Sequence, residues 1–94
     1  MSAPAGDNTI FVGKKPAMTY VVACLNVLQN GATDITLKAR GRAISTAVDA
    51  AQILTKRFLP NVTVKSIAIS TEQVQNTESG ETSSVSSMEI HLSK

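Results

Sequence analysis

Ile35-Thr36-Leu37-Lys38-Ala39-Arg40-Gly41-Arg42-Ala43-Ile44-Ser45 changes its period halfway along. As far as Arg40, the apolar Ile35, Leu37 and Ala39 alternate with Thr36, Lys38 and Arg40, the pattern of a half-buried strand. Gly41 breaks that pattern. Beyond it Ile44, Ala47, Val48, Ala51, Leu54 and Phe58 recur at helical spacing until Pro60, which cannot continue a helix. Asp49 and Lys56 fall on the wet face of that helix. A strand, a tight corner and a helix are therefore written consecutively, and Lys38, Arg40 and Arg42 sit at the corner.

The same unit stands upstream. Thr9-Ile10-Phe11-Val12 is a short β-rich run ended by Gly13. Pro16 suits the first turn of a helix, where its missing N–H costs nothing. That helix runs to about Gln29, and Asn30-Gly31 supplies a left-handed stop. Met18, Val21, Val22, Cys24, Leu25, Val27 and Leu28 cover most of its circumference, so it is covered on more than one side. One cover is the sheet; the other is the second helix or a partner subunit. Its corner, Gly13-Lys14-Lys15-Pro16, is also basic, and Asp34 is the only acidic residue between the two corners. If the two strands are parallel neighbours, both corners lie at one end of the sheet and five cations share a face. Such a face suits a polyanion, provided those cations are not already paired with carboxylates.

Downstream, Val62 to Ile69 reads as a strand whose apolar parity switches between Val64 and Ile67, as at a bulge. Val85 to Leu92 is the last strand, with Met88, Ile90 and Leu92 facing one way. The Ser/Thr/Glu/Gln-rich stretch from Ser70 to Ser84 reads as a long hairpin arm with its tip near Glu78 to Glu81. The order is β-α-β-α-β-β. Its two strand–helix–strand crossovers predict parallel neighbours with both helices on one face. The fold class is α+β: a two-layer sandwich, with two helices on one face of a mixed four-stranded sheet and the arm between the third and fourth strands. Residues 1–8 read as a flexible tail and residues 9–94 as one domain.

Ninety-four residues give a modest stability margin, which small domains often raise by oligomerising. The net charge is only +2. Its distribution is uneven, with a basic first two-thirds and a final third holding Glu72, Glu78, Glu81 and Glu89 against Lys94. Cys24 is the sole cysteine, so no internal disulfide forms, and its apolar neighbours mark it as a core residue. No signal peptide or membrane span is read, and the expected location is the cytoplasm. Without a secretory signal, the Asn61-Val62-Thr63 sequon carries no meaning.

Gly13-Lys14-Lys15-Pro16, the run Lys38-Ala39-Arg40-Gly41-Arg42-Ala43-Ile44-Ser45, and Arg57-Phe58-Leu59-Pro60 closely resemble the Alba family of archaeal chromatin proteins. The similarity extends from about Ile10 to Leu92. The resemblance implies a homodimer, or a heterodimer with a paralogue, that coats and compacts double-stranded DNA with little sequence preference. The alternative is an RNA-binding protein or RNA chaperone in ribonucleoprotein complexes that uses the same face; the resemblance also implies RNA binding and association with the chromosome. The family's binding residues carry over to Lys14, Lys15, Arg40 and Arg42, with Lys38 beside them. Lys14 is the implied acetylation site, and Phe58 and Leu59 the implied contact between neighbouring dimers. Two positions depart from the family. Glu78, Glu81, Ser83 and Ser84 stand where arms often carry arginines, and Thr46 where some members have lysine. The body, rather than the arm, is then expected to carry the affinity.

Other chemistries lack their residues. Gly13-Lys14 has neither the upstream glycine nor the following hydroxyl of a phosphate-binding P-loop. The four glutamates of the final third have no histidine or nucleophile placed to join them, so no catalytic residue is assigned. His91 lies on the wet side of its strand without companions for a metal, and no cofactor is implied. Phe11, Tyr20 and Phe58 are too few for a single-strand stacking platform. Gly41 and Ser45 read as local structural residues.

Overall fold

Both strand–glycine–helix units fold as their spacing requires. The structure, a computed structural model, describes residues 8–94, so the tail expected over 1–8 lies, except for Asn8, outside the described residues. The elements are β1 (Thr9–Val12), α1 (Ala17–Gln29), β2 (Asp34–Arg40), α2 (Ala43–Ile53), β3 (Thr63–Gln75) and β4 (Thr82–Ser93). Pro16 occupies the N-cap of α1 at φ −58°, and Gly31, just past its end, takes φ +105°. Gly41 turns the chain from β2 into α2 at φ +56°, a left-handed conformation that a Cβ would strain. After Ile53 the helix widens into a π turn over Leu54–Phe58, closed where the Leu59 N–H donates to the Leu54 carbonyl (2.8 Å).

The core lies between the helices and one sheet face. Tyr20, Val21, Cys24 and Leu28 of α1 and Ala47, Ala50 and Ala51 of α2 are buried there. They pack with Ile35, Leu37 and Ala39 of β2 and Ile90 and Leu92 of β4. Small alanines on α2 let that helix approach the sheet closely. Leu37, Leu54 and Leu92 are fully buried, and truncating any of them to alanine costs about 2–5 kcal/mol. Burial pushes the Cys24 thiol up to about 12, so it is an inert core group at neutral pH.

The sheet order is β1-β2-β4-β3. β1 and β2 are parallel neighbours, which puts both basic corners at one end of the sheet. The second crossover departs from the expectation of parallel neighbours. β4 inserts between β2 and β3 and runs antiparallel to both. The reason is the hairpin: β3 forms the outer edge, and its partner folds back into the gap beside β2. The expected bulge is present, with the β3–β4 register slipping between Val64 and Ser66. The extra residue, Lys65, lets Val64 and Ile67 both face the helix side.

β3 and β4 stay paired beyond the body as far as Gln75↔Thr82, forming the arm. Its turn is held by Asn76, whose Oδ1 accepts the Glu78 and Ser79 N–H groups at 2.8 and 3.3 Å. The helices do not cover the outer edge of the sheet. Val64, Ile67 and Ile69 of β3, on the helix side by register, are exposed, as are Val48 of α2 and Phe58.

Candidate functional site

A concavity of about 950 Å³ opens at the end of the sheet where β1 and β2 finish. Lys14, Lys38, Arg40 and Arg42 all line it, with Phe11, Thr46, Glu72 and Glu89 among their neighbours. Four of the five cations read from the sequence therefore share one surface. Lys15 does not line it but follows Lys14 in the same exposed corner.

The two corners are held differently. At the first, the Tyr20 hydroxyl oxygen accepts the Gly13 N–H (2.8 Å) and the Lys15 N–H (3.2 Å). Tyr20 sits one turn into α1 and is buried, so the helix anchors the loop that displays the two lysines. Because that oxygen accepts both bonds, its own O–H remains available to donate. At the second corner, the Gly41 N–H donates to the Ser86 carbonyl at 2.8 Å and ties the turn to β4. Ser45 makes a local bond to the Arg42 carbonyl (3.2 Å), as expected of a local residue. Neither helix has a side-chain cap or an acidic residue in its first turn. Their first N–H groups thus add to the positive potential of the cationic end.

The condition that the cations be unpaired is met only in part. Lys38 Nζ lies 3.7 Å from a Glu89 carboxylate oxygen, its cross-strand partner. Arg40 reaches over Ser87 to β3, where its guanidinium lies 3.5 Å from Glu72. Both pairs are exposed and too long for direct hydrogen bonds, so each is worth about 0–1 kcal/mol. A phosphate can displace either carboxylate at that cost. Lys14, Lys15 and Arg42 have no carboxylate within 4 Å among the described residues. Beneath Arg40, Ser87 is buried and satisfied by Ser70, their hydroxyls 2.7 Å apart.

Sequence reasoning missed Glu72, Glu89 and Tyr20. The two glutamates matter only through cross-strand registers that no local pattern displays. Tyr20 had a signal, a lone tyrosine in the first turns of an otherwise apolar helix. Phe58 is exposed at the end of the π turn, whereas Leu59 packs partly against the core. His91 lies on the open sheet face, at the end of β2 away from the basic corners, and its Nε2 donates to Asp34 Oδ1 at 2.9 Å. Thr33 Oγ1 also donates to Asp34, at 2.8 Å. The Thr33 bond foremost, then that of His91, holds the Asp34 carboxyl below its ordinary range.

The Alba family profile matches residues 8–71. The DNA/RNA-binding protein Alba 1 of Archaeoglobus fulgidus is 57% identical over 88 residues, covering 94% of this chain and 97% of that protein. The DNA/RNA-binding protein Alba of Methanothrix thermoacetophila is 51% identical over 90 residues, covering 96% of this chain and 99% of its own. Among solved structures, Alba from Thermoplasma volcanium superposes with a TM-score of 0.86 at 48% identity, covering 93% of this chain and all of the other.

Proposed function

This chain is a member of the Alba family, and from that premise we propose that it binds nucleic acid through the cationic end of its sheet. The concave surface shared by Lys14, Lys38, Arg40 and Arg42 carries the reading. Lys15 extends it. These side chains neutralise phosphates and release counterions, with little reading of bases. The principal ligand is double-stranded DNA, which the protein coats and compacts on the chromosome within the cytoplasm. A second ligand is structured RNA, favoured by relatives whose names give DNA and RNA together.

The working unit is a dimer, homotypic or formed with a paralogue. The exposed Val48, Val64, Ile67 and Ile69 support this: an edge strand with uncovered apolar side chains is a liability unless a second subunit packs on it. Phe58, outside the core, serves contact between dimers, with Leu59 contributing less. Acetylation of Lys14 removes one cation from the concavity and weakens binding. The protein performs no catalysis in this reading.

The test is a salt titration of affinity for matched DNA and RNA duplexes, with the mass of each complex measured. On DNA the slope of log affinity against log salt is expected near −0.9 per phosphate contacted. A flat salt dependence, or strong preference for one base sequence, overturns the proposal.

A further inference from the structure

Phe11 is 73% exposed, although it is one of only three aromatic residues in the chain. It does not project into empty surroundings. Its register partner is Lys38, so both side chains rise from the open sheet face on adjacent strands, about 5 Å apart. It lines the same concavity as Lys14, Arg40 and Arg42. The other two aromatics are elsewhere: Tyr20 is buried and spends its hydroxyl on the first corner, and Phe58 does not line the concavity.

We infer that Phe11 is a stacking site for one unpaired nucleobase, whose flanking phosphates are held by Lys14, Lys38, Arg40 and Arg42. An apolar ring among four cations and the two glutamates that pair with Lys38 and Arg40 rejects an ordinary apolar partner, which would bury those charges, and a polyanion without rings would leave the phenyl face wet. A nucleotide supplies both complements, a π face for the ring and a phosphate for the cations. Stacking is indifferent to base identity, in keeping with a surface that has few base-reading groups. A duplex keeps its bases in the stack, so only bulges, loops, mismatches and single strands engage this ring. One aromatic is no platform for a run of bases, and the site takes one base.

This inference rests on the proposed nucleic-acid reading, and the experiment separates the two. Affinities of the full chain are compared for a short unstructured RNA, the single-stranded DNA of the same sequence, and a blunt DNA duplex. The proteins are wild type, Phe11→Ala, Phe11→Leu and Phe11→Trp. Phe11→Ala and Phe11→Leu are expected to weaken single-strand binding about ten-fold. Phe11→Trp keeps or improves that binding, and duplex affinity stays within about two-fold throughout, because no phosphate contact is lost. A 4-thiouridine placed in the RNA should photocrosslink to the peptide containing Phe11. Absence of binding to any nucleic acid by the wild type overturns the parent reading. Normal wild-type binding with equal single-strand affinity in all four proteins overturns the stacking site alone. So does a parallel loss on duplex and single strand, or a complex mass that falls with Phe11→Ala, which would make the ring a contact between copies of the chain. The exposure of Phe11 keeps these substitutions out of the core, and Phe11→Leu controls for lost apolar area.

Discussion

The two basic corners share one end of the sheet but manage their charges in opposite ways. Gly13 to Pro16 offers Lys14 and Lys15 with no carboxylate within 4 Å among the described residues, on a backbone pinned by the Tyr20 hydroxyl. The second corner keeps Lys38 and Arg40 against Glu89 and Glu72, leaving Arg42 without a carboxylate partner among the described residues. Free cations supply long-range attraction and reach bound phosphates at no internal cost. Tethered cations hold their side chains roughly in place and surrender part of the gain by breaking a pair. In the proposed function the first corner is therefore expected to set most of the affinity, and the second the alignment of the bound backbone.

The largest effect is expected from reversing the first corner. Lys14→Glu with Lys15→Glu should weaken duplex binding about a hundred-fold at physiological salt and flatten the salt slope, measured by fluorescence anisotropy. If the equivalent reversal of Lys38 and Arg40 costs more, the ranking of the corners is wrong. Tyr20→Phe tests the pin while leaving every charge in place. It should cost about 1–2 kcal/mol in urea unfolding by depriving two N–H groups of their acceptor. Duplex affinity should fall several-fold as the lysines lose their fixed base; unchanged affinity would confine Tyr20 to the fold.

A smaller effect of opposite sign sharpens the contrast. Glu72→Gln with Glu89→Gln frees Arg40 and Lys38 and should tighten binding about three- to ten-fold, the worth of two weak surface pairs plus two fewer repelling charges. No gain would mean that those pairs do not restrain the second corner. The smallest effect belongs to Asp34→Asn, at the other end of β2. A carboxyl held below its ordinary range stabilises the fold above that range and loses the contribution as pH falls through the lowered value. The substitution should slightly lower the thermal midpoint at neutral pH, with the difference from wild type vanishing in strong acid, and leave duplex binding within about two-fold.

The elements themselves were legible because each follows from a local pattern. Alternation marked β2, helical spacing marked α1 and α2, and the parity switch at Val64 and Ile67 announced the bulge. The cationic end was legible too, once β1 and β2 were taken as parallel neighbours. The sheet order was not, because the place where a hairpin docks depends on the whole core. Everything that hangs on that docking was hidden with it. Glu89 faces Lys38 and Glu72 meets Arg40 only because β4 lies between β2 and β3. The role of the Tyr20 hydroxyl was hidden for a simpler reason: its partners are backbone groups, which every sequence has.

Tyr20 is the sole tyrosine, and the chain has no tryptophan. Near-ultraviolet light absorbed by this protein is therefore absorbed chiefly by the ring that braces the lysine loop. A ligand that pulled on that loop would alter the hydrogen bonds at the chromophore, and the spectrum would be expected to shift with them. Inorganic polyphosphate, transparent at those wavelengths, would let a label-free difference spectrum watch one corner respond while the rest of the molecule stays dark.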